Sequence, residues 1–161
     1  MLRIRLYGRD RGDVQLGCDV LGALLRQAGL AACVEGGGPV DGHRVDAAVV
    51  LDPDLVADVA AASLTHDAVV YVNAPAEPCG RALHAGRVLA ADAAATAHRH
   101  GLGSRVATAM GGIFAGASGV LANGVIAAVA ASHQGASDAH VAALVEGYGL
   151  GEAALENGRP P

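Results

Sequence analysis

Two short, unbroken apolar runs constrain this chain more than anything else in it: Ala47-Ala48-Val49-Val50-Leu51 and Ala68-Val69-Val70-Tyr71-Val72. A run of this kind has no wet side. It reads as a strand covered on both faces, and such strands belong to parallel sheets with crossover helices above and below. The rest of the chain supplies those helices. An alternating segment, Leu2 to Tyr7, predicts a first strand, followed by a Gly-rich turn over Gly8–Asp13 and a helix over Val14–Ala28 that stops at Gly29. Leu30 to Arg44 reads as loop, centred on Gly36-Gly37-Gly38-Pro39. Asp52 and Pro53 have the pattern of an N-cap and a first helical residue, with a helix running to about Ser63. After the strand at Ala68–Val72, which ends at Asn73, come a strand at Arg87–Ala90, a helix at Asp92–His100, helices at Val106–Val120 and Gly124–Ser132, and a last helix at Ser137–Glu146. The expected fold class is α/β: a three-layer, doubly wound, mostly parallel sheet with helices on both faces. Residues 1–150 read as one domain and 151–161 as a frayed tail.

Composition says how such layers can meet and which partners are excluded. The chain is 52% hydrophobic but only 2% aromatic, with no Trp, one Phe and 23 Gly, so Ala, Val and Gly must fill the core. Its 11 basic residues, all Arg, face 16 acidic ones for a net charge of −5. That excludes the clustered positive patch of a nucleic-acid binder and argues against an anionic membrane surface. Val106 to Ser132 carries no charge, yet it is rich in Gly, Ala and Ser and broken at Asn123-Gly124. It reads as two buried helices, not a membrane span. Charged residues are only 17% of the chain, which points to surface covered by other chains or by a second copy. Met1-Leu2-Arg3 runs directly into a strand pattern with no signal peptide, so a cytoplasmic protein is expected.

Few residues are arranged for chemistry. Cys18, Cys33 and Cys79 are odd in number and lack C-x-x-C spacing, so reduced, packed thiols are expected, with no metal or cluster site in this chain. His98 and His100 point apart on a helix. His43, His66, His84, His133 and His140 stand alone, and no serine has a nucleophile-elbow pattern. No catalytic residue is assigned. The turn after the first strand is the candidate anion site, because it leads into a helix N-terminus. It is not G-x-G-x-x-G, however, and Asp10 and Asp13 put carboxylates where phosphate oxygens would lie. The alternative is a structural turn or subunit contact, with Arg9 or Arg11 paired to Asp10, Asp13 or a partner's carboxylate.

Taken together, these segments resemble the gamma subunit or gamma domain of the pyruvate/2-oxoacid:ferredoxin oxidoreductases, a family that includes the beta subunit of indolepyruvate oxidoreductase. Tyr7-Gly8-Arg9-Asp10-Arg11-Gly12-Asp13-Val14 lies on the family's [HG]-G-R-G-G-Q-G-V turn and matches it at Gly8, Arg9 and Val14. Asp46 to Pro53 is similar to its D-[AV]-[VL]-[VI]-x-[LF]-[DN]-P segment, and Val70-Tyr71-Val72-Asn73 to its V-[IV]-x-N strand end. Ala90 to Ala97, Ala109 to Ile113 and Val141 to Tyr148 follow three later motifs in order. Two departures stand out: Asp10, Arg11, Gly12 and Asp13 replace paired glycines and a Gln, and the stretch before Asp46 is short, with only Gly36–Val40 left of a usual second strand and loop.

The resemblance implies an accessory, structural or channel-lining subunit. Its partners would be alpha-, beta- and delta-type subunits that hold thiamine diphosphate, iron–sulfur clusters and coenzyme A, and electrons would pass to ferredoxin. It implies that Gly8, Arg9, Arg11, Gly12 and Asn73 face a cofactor or a partner. Whether the altered turn still touches coenzyme A stays open. From another class, the alternative is a stand-alone α/β module for a nucleotide-like ligand, or a scaffold without one.

Overall fold

The computed structural model describes residues 1–37, 44–60, 64–75, 86–121, 123–132 and 137–157. Strand β1 (Leu2–Tyr7) leads into helix α1 (Arg11–Gln27), whose chain turns out at Gly29 with φ 71°. Strand β2 (Ala32–Gly36) follows, then β3 (Val45–Val50), a 3-10 turn at Pro53–Leu55 and a short helix α2 (Val56–Ala60). Next are β4 (Leu64–Asn73), β5 (Arg87–Ala91), and helices α3 (Ala93–Arg99), α4 (Ala107–Ser118), α5 (Asn123–Ser132) and α6 (Asp138–Asn157).

The strands form one parallel sheet in the order β2-β1-β3-β4-β5. The α/β, doubly wound expectation holds. Side chains alternate across the sheet, and each set has its own core. Ile4, Leu6, Ala47, Val49, Tyr71 and Leu89 face α1 and α3–α6, whereas Tyr7, Ala48, Val50, Val70 and Val72 face Leu55, Val56 and Val59 of the 3-10 turn and α2. Among the described residues the two faces are unequally covered. The continuous apolar runs now have their reason: Ala48, Val49, Val50, Val70 and Val72 are all within 1% of full burial.

Four sequence expectations need correction. Ala32–Gly36 is a strand paired to β1 from Leu2↔Ala32 to Leu6↔Gly36, so the second strand is retained. Strand β4 begins at Leu64, four residues early, through an irregular register opposite Val45–Ala47. The helix expected from Asp52 to Ser63 is a 3-10 turn plus a single α-helical turn through Ala60; residues 61–63 lie outside the described part. Helix α6 does not stop at Glu146 but continues to Asn157, taking in much of the segment read as a frayed tail. Two of its glycines, Gly147 and Gly151, are contact points with α4.

The uncharged segment forms two helices, as its composition predicts. Residues 107–117 of α4 are buried, and the helix sits inside the chain's own core, with Phe114 edge-on to Tyr71 at 5.1 Å between ring centroids. Its lack of charge is thus accounted for by its own fold. Among the described residues only Met1 and Leu30 are large hydrophobics left exposed, and no helix is long and apolar enough to cross a membrane.

Candidate functional site at the switch point of the sheet

From β1 the chain crosses over one face through α1; from β3 it crosses over the other through α2. Where neighbouring strands send their crossovers to opposite faces, a crevice opens beyond their carboxyl ends. Here it is a cleft of about 330 Å³ lined by Gly8, Arg9, Asp10, Asp13, Leu51, Asp52, Pro53, Asn73, Ala94, Ser104 and Val106. Gly8 is required by closeness: a Cβ there would lie 2.8 Å from Val14 Cγ2 and 3.3 Å from Leu51 Cδ1.

The cleft's polar groups are almost entirely committed to one another. Asp10 is the N-cap of α1, and its Oδ1 accepts from the amides of Gly12 (2.8 Å) and Asp13 (3.0 Å). Asp13, in the first turn of that helix, reaches across 93 residues of sequence to accept from the amide of Val106 at 3.1 Å, and takes the Ala107 amide at 3.2 Å. It therefore caps α4, which has no side-chain cap of its own. Burial pushes the Asp13 carboxyl above its ordinary range, and the negative charge of Asp10 adds to this, while the two amides and Arg105 pull the other way. Asp52 accepts from the Asp54 amide at 3.1 Å, and Asp92 caps α3 through the Ala95 amide at 2.8 Å. Asn73 ties the floor together: its side-chain amide donates to Leu51 O at 2.9 Å and its Oδ1 accepts from the Ala94 amide at 3.0 Å.

Of the residues singled out from sequence, Gly8, Arg9 and Asn73 line the cleft. Arg11 and Gly12 lie beside it on the exposed first turn of α1, outside the lining. The expected pairing of Arg9 or Arg11 with Asp10 or Asp13 is not what forms. Arg9 bridges Asp52 and Asp54, each at 3.3 Å, while Asp10 and Asp13 are already engaged as caps. Sequence reading missed the capping roles of Asp13 and Asp92. For Asp92 the signal was present, an Asp just before a helical stretch; for Asp13 none was, since its partner lies on a distant element.

Among the described residues the histidines and cysteines do not gather here. His100 Nε2 lies 2.7 Å from Glu146 Oε2, and Arg99 also pairs with Glu146, so α3 is clasped to α6; His140 Nδ1 lies 2.9 Å from Thr108 Oγ1. Among the described residues no group of three or more His, Cys, Asp or Glu is placed to hold a metal ion. His43, Cys79, His84 and His133 lie outside the described residues.

The family model described as pyruvate ferredoxin/flavodoxin oxidoreductase matches residues 22–150. No curated protein matches the chain by sequence. Among solved structures the chain is similar to the pyruvate oxidoreductase subunit PORC from Thermotoga maritima, with a TM-score of 0.71 at 20% identity, over 91% of this chain and 94% of that one. At that identity the likeness is one of fold.

Proposed function

This chain belongs to the pyruvate ferredoxin/flavodoxin oxidoreductase family, and on that premise we propose that it is an accessory, gamma-type subunit of a 2-oxoacid:ferredoxin oxidoreductase complex. The observation that carries the reading is the extent of the family match, which runs from within α1 through most of α6 and so covers the greater part of the domain. A fold shared with PORC over nearly the whole of that chain supports it. In the proposed complex, alpha-, beta- and delta-type subunits hold the thiamine diphosphate, iron–sulfur clusters and coenzyme A, decarboxylate the 2-oxoacid and deliver electrons to ferredoxin. This chain contributes architecture and a wall of the channel. The proposed compartment is the cytoplasm, in keeping with free thiols at Cys18 and Cys33.

That cofactor set does not fit the described residues of this chain. Cluster iron is bound by thiolates. Among the described residues the cysteines are Cys18 and Cys33, too few for the four thiolates of a cluster. The amides of Asp13 and Val106 in the cleft, and of Gly12 and Ala107 beside it, already carry carboxylates. The chain is thus read as a subunit whose partners do the chemistry.

Native purification of the tagged chain from its own cells tests this. The expected result is co-elution with larger subunits at a mass well above 15.9 kDa, together with 2-oxoacid-dependent reduction of ferredoxin. A chain that elutes alone from such cells, without that activity, would overturn the proposal.

A further inference from the structure

We infer that the chain's own aspartates hold the places where its fold would bind an anion, so that phosphate-bearing ligands are excluded from the switch-point cleft. The inference stands on the cleft's geometry and holds whether or not the chain is a subunit of a larger enzyme. Helix N-termini attract phosphate because their first amides lack partners and the helix dipole is positive there. At this cleft α1 and α4 each have two of their leading amides already taken. The Gly12 and Asp13 amides of α1 are bound by Asp10, and the Val106 and Ala107 amides at the start of α4 are bound by Asp13, which is only 7% exposed. On the opposite wall, Asp52 and Asp54 hold the guanidinium of Arg9. A phosphate entering the cleft would have to displace tethered carboxylates, and would meet their charge at contact distance. The excluded class includes inorganic phosphate, the phosphates of coenzyme A and the diphosphate of thiamine diphosphate. The block at α1 is local to Asp10, because Asp13 is anchored by α4 and stays in place when Asp10 changes.

The test is a titration of the full chain with sodium pyrophosphate, and separately with coenzyme A, followed by amide NMR at Gly12, Asp13, Val106 and Ala107. The wild type is expected to show no saturable shift at millimolar ligand. Asp10→Gly, which frees the α1 amides, is expected to show a saturable shift at millimolar pyrophosphate where the wild type shows none. Asp10→Asn keeps an acceptor but drops the charge; it should gain less than Asp10→Gly, and should still gain over wild type if the glycine variant does not fold. Saturable binding of either ligand to the wild-type amides would overturn the inference, as would variants that bind pyrophosphate no better than wild type.

Discussion

An aspartate that accepts two backbone hydrogen bonds is ordinarily held ionised, but at Asp13 burial works in the opposite direction and prevails, raising the carboxyl above its usual range. Glu146 is the reverse case: the hydrogen bond from Arg99, and then that from His100, hold it below the usual range. The two should leave opposite marks on stability. A raised carboxyl contributes stability that is whole below its unfolded value and is lost as pH rises through the folded value; a lowered one contributes stability above its unfolded value that is lost as pH falls. Urea unfolding between about pH 3 and pH 7 should therefore show wild type losing ground to Asp13→Asn as pH rises. It should gain ground on Glu146→Gln over the same range. Glu146 is part-exposed, so its pair is worth only about 0–1 kcal/mol at neutral pH. Asp13→Ala, which orphans the Val106 and Ala107 amides, should cost about 1–3 kcal/mol. Parallel pH trends for the Asn and Gln variants would refute the assignment. At this scale the sequence was legible only where partners are local. Asp52 announces its cap by the Pro that follows, but nothing near Asp13 names a helix 93 residues away.

The contact between α4 and α6 is the element-level device that lets a chain with so few large side chains build a core. The two helices run parallel, and each presents a pair of glycines four residues apart. A Cβ at Gly112 would overlap the Leu144 carbonyl, at Gly116 that of Tyr148, at Gly147 that of Ala109 and at Gly151 that of Ile113. The backbones touch because no side chain intervenes. Gly149, one residue beyond Tyr148, has open space around it and is exposed. The same substitution should thus act in opposite directions on one helix. Gly116→Ala or Gly147→Ala should destabilise by about 1–3 kcal/mol through forced separation of the helices, and Gly149→Ala should stabilise by about 0.5–1 kcal/mol through helix propensity. Thermal melts of the three variants decide it; a Gly147→Ala variant as stable as wild type would refute the close packing. These glycines are also why the sequence pattern supports α6 only to Glu146: a helix rich in Gly looks broken until the helix it rests on is known. Strand β2 was hidden for a related reason. Ala32–Gly36 is short, lies at the sheet edge and shows neither full burial nor clean alternation, whereas the two continuous runs in β3 and β4 could be read directly.

For the molecule as a whole, cover on the sheet decides where the structure can open. Strand β3 lies in the middle of the order β2-β1-β3-β4-β5, flanked by β1 and β4, with Val49 and Val50 fully buried on opposite faces. On one face, α4 is enclosed by α1, α3 and α6 as well as by the sheet, and α5 packs on α6 and α1. On the other, the described cover is the 3-10 turn and the single helical turn of α2, which contribute Leu55, Val56 and Val59. Local opening is cheapest where few apolar contacts must be broken and costs the full unfolding free energy where they are most numerous. Hydrogen exchange followed peptide by peptide should then divide the chain by layer. The amides of β1, β3, β4 and α4 should be the last to exchange, at a common rate set by global unfolding. Those of the edge strand β2 and of α2 should exchange earlier through openings that leave the main core intact. The order also bears on the cleft, whose walls come from both classes: Gly8, Leu51 and Asn73 at the ends of slow strands, Asp52 and Pro53 at the start of the fast turn. If α2 proved as slow to exchange as α4, the second face would have to be held by far more than the described contacts, and the unequal layering argued here would fail.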